Sequence, residues 1–302
     1  MTSKACPALQ SIKKGTNPGN VSVEVGKSYV LLGKNKEPAS HYWIEVPGAQ
    51  PLQRWVGADC GAADGAVVSA PAQTHVPVAP ADDKKPFYVL SMSWEPAFCE
   101  AMAAKVECQR QTAASFEATH LVLHGLWPQP RRRVFCNVDK AMIAADDAHQ
   151  WEKLPPPELS AATKASLDEV MPGTQSLLER HEWVKHGSCY PGGKAESYFT
   201  DAINLMKAIN SSPVQAFLSA HVGQTIQTSE LRMKFDEAFG KGAGERVRVA
   251  CKPDGNRQIV TEITLGLKGD ISAGQNISQL IAQSQPTDAG CPSGEIDSVG
   301  LQ

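Results

Sequence analysis

The sequence predicts an α+β protein that carries a second, smaller all-β domain at its amino terminus. Residues 86–302 mix amphipathic helical patterns with alternating strand patterns, which is typical of a domain with a central antiparallel sheet and several helices. Residues 1–61 contain only short runs of strand-forming residues, separated by Gly, Pro and Asn. Residues 62–85 are dominated by Ala, Pro, Val and Asp, and this composition predicts a linker between the two domains.

The amino-terminal domain is predicted from four short β-rich runs. These runs occupy residues 21–25, 28–32, 42–46 and 54–56. Their spacing, together with Trp55 and the pair Cys60-Gly61 that follows it, resembles small barrels of the bacterial SH3 type. We expect this domain to be a stabilising appendage, with weak binding of a ligand as the alternative.

The larger domain is predicted to begin with a strand and to continue mainly as helices. The expected strands are residues 87–94, 119–124, 246–251 and 258–265, of which the last two form a hairpin. Helices are expected from Pro96 through Cys108 and at 160–170, 174–186, 194–210, 213–221 and 229–239. Residues 129–160 are expected to be loop-rich, because the consecutive prolines at 155–157 exclude a helix.

The predicted helix 174–186 is the first of two segments that carry reactive side chains. Thr174 is expected to cap this helix and Gly187 to stop it. At about 100° per residue, four of its ionisable side chains fall within an arc of roughly 140°. They are His181, Glu182, Lys185 and His186. Because such groups resist burial away from water, we expect this face to line a cleft or to meet solvent.

The second segment is an apolar run, residues 121–123, which predicts a strand that ends in His124. Residues 125–128 follow as Gly-Leu-Trp-Pro, which is typical of a turn. Taken alone, a histidine after a strand is more often a turn residue than a catalyst, and Trp127 alone is more often a core residue. The function therefore has to be argued from both segments together.

The two segments, HGLWP at 124–128 and EWVKHGSC at 182–189, resemble the two active-site segments of the ribonuclease T2 family. The flanking residues 90–94 and 169–173 are similar to those of its bacterial ribonuclease I branch. The resemblance covers residues 86–302 and does not extend to the amino-terminal domain. It implies a T2-ribonuclease-type catalytic domain and an endonuclease that cleaves single-stranded RNA.

The resemblance also implies a mechanism and the residues that perform it. The family cleaves RNA through a 2′,3′-cyclic phosphate to 3′-phosphate ends, with low base specificity and with no metal or other cofactor. By matched position, His186 resembles the general base and His124 the general acid, although the residues themselves do not distinguish the two roles. The positions that resemble the phosphate-binding and transition-state-stabilising set are Lys185, His181 and Glu182, and Trp127 resembles the base-stacking residue. Glu182 precedes His186 by one helical turn, so we expect it to raise the basicity of that imidazole.

The eight cysteines predict disulfide bonds, because none of them forms a Cys-x-x-Cys pair. Eight cysteines allow 105 connectivities. The resemblance implies the pairs Cys99–Cys108, Cys136–Cys189 and Cys251–Cys291, and it leaves Cys6 to pair with Cys60. Disulfides need an oxidising compartment, so we expect a periplasmic or secreted protein whose signal peptide is absent from this chain.

Composition limits the possible partners. The formal net charge of −3 argues against a protein that binds nucleic acid through a uniformly basic surface. A nuclease needs only a local positive groove, which Lys185 and the arginines at 131–133 could supply; alternatively, those arginines form a solvated loop. No apolar run reaches the length of a membrane span. We therefore expect single-stranded RNA as the partner, no membrane, and a monomer.

Three other functions compete with this interpretation. Residues 181–186 begin like the zinc motif H-E-x-x-H, but Lys185 occupies the second histidine position and His186 comes one residue late. An ammonium group does not ligate zinc at neutral pH, which argues against a zinc metalloprotease. A non-catalytic RNA-binding relative would be expected to lack one of the histidines. In a cell-wall-binding protein the amino-terminal domain would carry the main function.

Overall fold

Internal contacts divide the chain into two units, Met1–Pro80 and Ala81–Gln302. The computed structural model describes residues 2–61, except 14, 37, 48 and 50–52, together with residues 85–271 and 274–301. The predicted linker at 62–85 lies outside the described residues, apart from Lys85. Among the described residues, no helix is both long enough and apolar enough to cross a membrane.

The described part of the amino-terminal unit consists of short strands. Strands β1 (Cys6–Pro7) and β2 (Ser22–Val23) pair with each other, and β3 (Val30–Lys34), β4 (His41–Glu45) and β5 (Gln53–Gly57) form an antiparallel sheet in that order. These strands form two separate sheets, so the resemblance to an SH3-type barrel is not confirmed. The core between them is small, and the disulfide that joins the ends of this segment adds stability to it.

A largely antiparallel sheet forms the centre of the larger unit, as an α+β domain requires. Its strands are β6 (Phe87–Ser93), β7 (Val122–Pro128), β8 (Gln224–Gln227), β9 (Val247–Asp254), β10 (Arg257–Lys268) and β11 (Ser293–Ile296). They lie in the order β7-β6-β10-β11-β8, with β9 paired to β10, and the β10–β11 pair is parallel. Leu90, Met92, Ile263 and Leu265 of the two central strands are fully buried, which places the sheet inside the main core.

The helices of this unit pack around the sheet. They are α1 (Glu95–Met102), α2 (Val106–Arg110), α3 (Lys140–Asp147), α4 (Ala161–Val170), α5 (Leu178–Lys185), α6 (Ala195–Asn210), α7 (Pro213–Ala220), α8 (Thr228–Phe239) and α9 (Ile277–Gln283). The predicted helix through Cys108 is two helices, because the chain is extended at Lys105. Helix α3 lies in the region predicted to be loop, where Asp139 caps it by accepting a hydrogen bond from the Ala141 N–H.

All four predicted disulfides are confirmed. They join Cys6 to Cys60, Cys99 to Cys108, Cys136 to Cys189, and Cys251 to Cys291. Three of them lie in the larger unit, where the Cys136–Cys189 bond ties the loop after β7 to the segment after α5.

The predicted start of the reactive helix is wrong. Thr174 lies inside a 3-10 turn, Pro172–Ser176, and Leu177 then adopts a left-handed conformation with φ of 65°. Helix α5 therefore begins at Leu178 and has no side-chain cap. It ends at Lys185, and a second 3-10 turn, Gly187–Cys189, follows His186.

The predicted end of the other segment is also wrong. Strand β7 does not end at His124 but continues to Pro128, which pairs with Tyr88 of β6. The proline is accepted because β7 is the edge strand of the described sheet. The register slips between Leu123 and Gly125, so His124 is the extra residue of a β-bulge. Bulges redirect side chains, and this one places the histidine in the middle of a strand.

Candidate active site

The two reactive segments meet through a hydrogen bond between Trp127 and Glu182. The indole Nε1–H of Trp127 donates to Oε2 of Glu182 at 2.9 Å. The Trp127 ring centroid lies 5.3 Å from that of His124 and 5.4 Å from that of His186. Strand β7 and helix α5 therefore bring both predicted catalytic histidines to the same indole.

Gly125 permits this contact. A Cβ atom at Gly125 would collide with Oε2 of Glu182 and would lie 2.6 Å from Nε1 of Trp127. Any side chain at this position would separate the two hydrogen-bonded groups. The glycine after His124 is thus required by the close approach of α5 to β7.

Glu182 is the centre of the cluster, and it is fully buried. Its Oε1 lies 3.7 Å from Nε2 of His124 and 3.8 Å from Nε2 of His181, and it has no hydrogen-bond partner among the described residues. Burial raises the pKa of Glu182 to about 7, against the opposing effects of His124, the Trp127 hydrogen bond and Lys185. The expectation that all four ionisable groups of α5 would face a cleft or solvent is therefore wrong for Glu182, which Trp127 and the imidazoles enclose.

His124 lies between two carboxylates. Its Nδ1 is 3.1 Å from Oε2 of Glu262 on β10, and its Nε2 faces Glu182. Burial acts to lower the pKa of His124, but the Glu262 hydrogen bond and the charges of Glu182, Glu262 and Glu95 outweigh it, so the pKa is raised. The cationic form of this imidazole is therefore favoured, and its side chain keeps 33% of its surface exposed.

His181 is held by a partner that the sequence did not reveal. Its Nδ1 lies 2.6 Å from Oδ1 of the buried Asp146 on α3, and its ring stacks on Trp151 at a centroid distance of 4.9 Å. Burial, together with the charges of Lys185 and His124, outweighs the Asp146 contact and lowers the pKa of His181. Because Asp146 occupies Nδ1, only Nε2 of this imidazole points toward Glu182.

His186 has the opposite surroundings to His124. Its Nδ1 is buried and has no hydrogen-bond partner among the described residues. Burial and the positive charges of His181, Lys185 and His124 lower the pKa of His186 to about 3. The side chain of Glu182 contacts His124 and His181 instead, so the expected support of His186 by this carboxylate is not observed.

The loop after β7 is fastened to the end of α5. The Phe135 N–H donates to the Lys185 carbonyl at 2.8 Å, and the ammonium of Lys185 lies 6.0 Å from the centroid of the Phe135 ring. Ser188 accepts a hydrogen bond from the Cys136 N–H and donates one to the Val184 carbonyl. These bonds and the Cys136–Cys189 disulfide fix the backbone on both sides of Lys185. The arginines at 131–133 are exposed.

A cleft of about 710 Å³ opens beside His124. Glu262, Glu95, Lys105, Trp151 and Lys252 are among the residues that line it. Glu95 is buried, and this burial, reinforced by Glu107 and Glu117, raises its pKa to about 8. The cleft therefore combines an imidazole whose pKa is raised with carboxyl, ammonium and aromatic groups.

Two sets of side chains in the described residues have donor atoms close enough to hold a metal ion. Ligand atoms of His181, Glu182 and His186 all lie within 4.8 Å of one another. The other set combines Glu95 with Cys99 and Cys108, whose sulfurs are bonded to each other.

Sequence reasoning missed Asp146, Glu262 and Trp151. Glu262 lies in an alternating strand, where a polar residue ordinarily faces solvent, and Asp146 lies in a helix that was predicted to be loop. Both act on histidines distant in the chain, at separations of 138 and 35 residues. No local pattern carries that information.

A buried carboxyl group and two imidazoles whose pKa values are shifted in opposite directions are typical of a site for acid–base chemistry. The sequence model of the Ribonuclease T2 family matches residues 85–281. The chain is 31% identical to Ribonuclease I of Escherichia coli over 225 residues, which is 67% of this chain and 83% of that protein. This protein therefore belongs to the ribonuclease T2 family, close to its bacterial ribonuclease I branch, and is an RNA endonuclease.

Other proteins match over a shorter stretch of the chain or at lower sequence identity. A probable ribonuclease of Haemophilus influenzae is 30% identical over 128 residues, which is 41% of this chain and 43% of that protein. Among solved structures, Japanese pear S3-RNase aligns with a TM-score of 0.45 and 17% identity over 70% of this chain and 99% of that one. Human RNase T2 aligns with a TM-score of 0.40 and 18% identity over 61% and 85% of the two chains.

Proposed function

We propose that the protein cleaves single-stranded RNA by transphosphorylation. The 2′-oxygen attacks the adjacent phosphorus, the bond to the 5′-oxygen breaks, and a 2′,3′-cyclic phosphate forms. Slower addition of water then gives a 3′-phosphate end. The observation that supports this proposal is the contrast between His124, whose pKa is raised, and His186, whose pKa is lowered, on either side of Trp127.

His186 is the general base in this scheme. A neutral imidazole can accept the proton of the 2′-hydroxyl, and the lowered pKa keeps His186 neutral at physiological pH. Part of that lowering comes from the charges of His181, Lys185 and His124. A bound phosphodiester anion offsets those charges, so the pKa of His186 should rise toward neutrality when substrate is present.

His124 is the general acid. Its Nδ1 is engaged by Glu262, so Nε2 is the atom that donates a proton to the departing 5′-oxygen. In the hydrolysis step the roles reverse, because the neutral His124 then accepts a proton from water and the protonated His186 returns one to the 2′-oxygen.

The remaining groups bind and stabilise the phosphate. Lys185 supplies a fixed positive charge for the additional negative charge of the phosphorane. His181 presents Nε2 while Asp146 fixes its ring, which makes Asp146 a positioning residue. Glu182 orients Trp127 and favours the cationic form of His124.

Low base specificity follows from the role proposed for Trp127. An indole stacks on any base, and its only polar hydrogen is already donated to Glu182. The ring can therefore hold a base through its face without reading the base edge by hydrogen bonding.

We further propose a metal-independent monomer that works in the periplasm or outside the cell. The four disulfides support an oxidising compartment. The test is the digestion of single-stranded RNA homopolymers by purified protein, with and without EDTA. We expect similar cleavage of all homopolymers in EDTA, with 2′,3′-cyclic phosphate ends appearing before 3′-phosphate ends. Products with 5′-phosphate ends, or loss of activity in EDTA, would contradict the proposal.

A further inference from the structure

The cleft beside His124 extends across the sheet of the larger unit as far as strand β9. Its floor carries His124 of β7, Glu262 of β10, and Ala250 and Lys252 of β9. Glu262 pairs with β9 on one side and with β6 on the other, and β6 pairs with β7. Strands β7 and β9 are therefore three strand spacings apart, or about 14 Å. This distance leaves room for a nucleotide between His124 and the strand that bears Lys252.

The proposed chemistry assigns one part of the RNA to this cleft. His124 protonates the 5′-oxygen, so the nucleotide that carries this oxygen lies on the His124 side of the broken linkage. Lys185 and His186 are not among the described residues that line the cleft. The leaving nucleotide, and any strand that continues from its 3′-oxygen, therefore enters the cleft and crosses the sheet toward β9.

Two lysines bring positive charge to the cleft. Lys252 alternates with Ala250 on the face of β9 that forms the floor, and it is exposed. Lys105 lies on the helical wall, at the start of α2, where its ammonium is 5.1 Å from the centroid of the Trp151 ring. The ion pairs found among the described residues include neither ammonium group. Both charges are thus left for a ligand.

The acidic side chains that line the cleft do not cancel these charges. Glu262 is bonded to His124, and the buried Glu107 accepts a hydrogen bond from a serine hydroxyl. Glu95 is also buried, and its pKa of about 8 keeps it mainly neutral at pH 7. Two lysines therefore face one exposed carboxylate, that of Glu152, among the described residues of the lining. This excess of positive charge fits a further anionic group of the RNA.

We propose that Lys105 and Lys252 bind the phosphate on the 3′ side of the leaving nucleotide, one linkage beyond the phosphate that is cleaved. The position of this subsite rests on the proposed function, because the direction of the strand follows from the role of His124. Lysine ammonium groups bind phosphate as point charges and do not read bases, so the subsite favours longer RNA and not a particular sequence. The dinucleotide ApA cannot use it, whereas ApAp, which has a terminal 3′-phosphate, can.

A comparison of ApAp with ApA in the full-length protein tests the subsite. We expect kcat/KM to be about fivefold higher for ApAp in the wild type, and the ratio to fall toward one when Lys105→Gln and Lys252→Gln are combined. Lys252→Arg should keep the ratio, because it keeps the positive charge. Lys207→Gln is the matched control, since that lysine is exposed on α6 and outside the cleft lining. A wild-type ratio of one, or a fivefold ratio that survives in the double variant, overturns the proposal.

A binding measurement separates this proposal from the proposed cleavage. The 2′-deoxy analogues dApdAp and dApdA carry the same phosphates but cannot be cleaved through a cyclic phosphate. We expect dApdAp to bind more tightly, with a slope of log Kd against log salt concentration that is steeper by about 0.7, and both differences to disappear in the double variant. If RNA is not cleaved but these differences are present, the proposed cleavage fails and the phosphate site stands. If the wild-type protein binds both analogues alike, the phosphate site fails whatever the cleavage result.

Discussion

The two histidines of the active site, one on a strand and one at the end of a helix, have opposite electrostatic surroundings. On strand β7, His124 lies between Glu262 and Glu182, and its pKa is raised although burial acts to lower it. On helix α5, His186 lies among positive charges and has an unpartnered buried Nδ1, and its pKa falls to about 3. The difference shows that the neighbours, and not the imidazoles themselves, set the two pKa values on which the proposed acid and base roles depend.

Among the substitutions that test this comparison, removal of either imidazole should lower the catalytic rate the most. We expect His124→Ala and His186→Ala each to lower kcat for RNA by about 10²- to 10⁴-fold, because each removes one proton-transfer step. His221→Ala is the matched control, since the contacts given for that imidazole in the described part of the chain are with Phe217 of α7, to its carbonyl and its ring. Near-wild-type turnover by either site variant, in protein with intact disulfides, would refute the assigned roles.

Neutralising the carboxylate between the two sides should have the next largest effect. Glu182→Gln keeps an oxygen that can accept the Trp127 hydrogen bond but removes the charge that faces His124 and His181. We expect kcat/KM to fall about 100-fold with little loss of folded structure. Glu179→Gln, another buried carboxyl group of the same helix, should leave the rate unchanged. Equal losses in both variants would show that burial in α5, and not the charge at the site, is responsible.

A substitution at Glu262 should change the pKa of His124 without changing that of His186. Its carboxylate helps to raise the pKa of His124, and the protonated acid is lost as the pH rises through that pKa. Glu262→Gln should therefore move the alkaline limb of the kcat/KM profile to lower pH by about one unit, and leave the acid limb, which reports His186, in place. The exposed pair member Glu237 provides a control, Glu237→Gln, for which neither limb should move. A shift of the acid limb instead would exchange the two assignments.

The smallest effect is expected at Asp146, which acts through His181. Asp146→Asn keeps a hydrogen-bond acceptor beside Nδ1 but loses the charge, so His181 becomes less cationic. We expect the KM for ApA to rise about threefold with kcat nearly retained, and Asp146→Ala to have the larger effect because the ring is also released. If the two variants behave alike, the hydrogen bond that fixes the His181 ring contributes nothing beyond the charge of Asp146.

Much of this site could be predicted because its motifs are local. The segments 124–128 and 182–189 each hold their reactive residues within a few positions, and the structure brings them together. Helices with clear caps and breaks, such as α4 and α7, were predicted to within about a residue.

The features of the site that the sequence did not predict depend on contacts between residues distant in the chain. His124 appeared to end a strand because the bulge and the edge position of β7 arise only from its pairing with β6. Glu262 and Asp146 carry no local signal of their contacts with His124 and His181, because those contacts join residues far apart in the chain. These features belong to tertiary structure, which periodicity does not report.

The opposite pKa shifts of His124 and His186 can be measured directly by an NMR titration of the histidine ring signals in the full-length protein without substrate. Each resonance is assigned by the loss of one signal in His124→Ala and in His186→Ala. We expect His124 to titrate above the ordinary histidine value of 6.5 and His186 to stay neutral far below it. The reverse order, or two imidazoles that titrate together near 6.5, would contradict it.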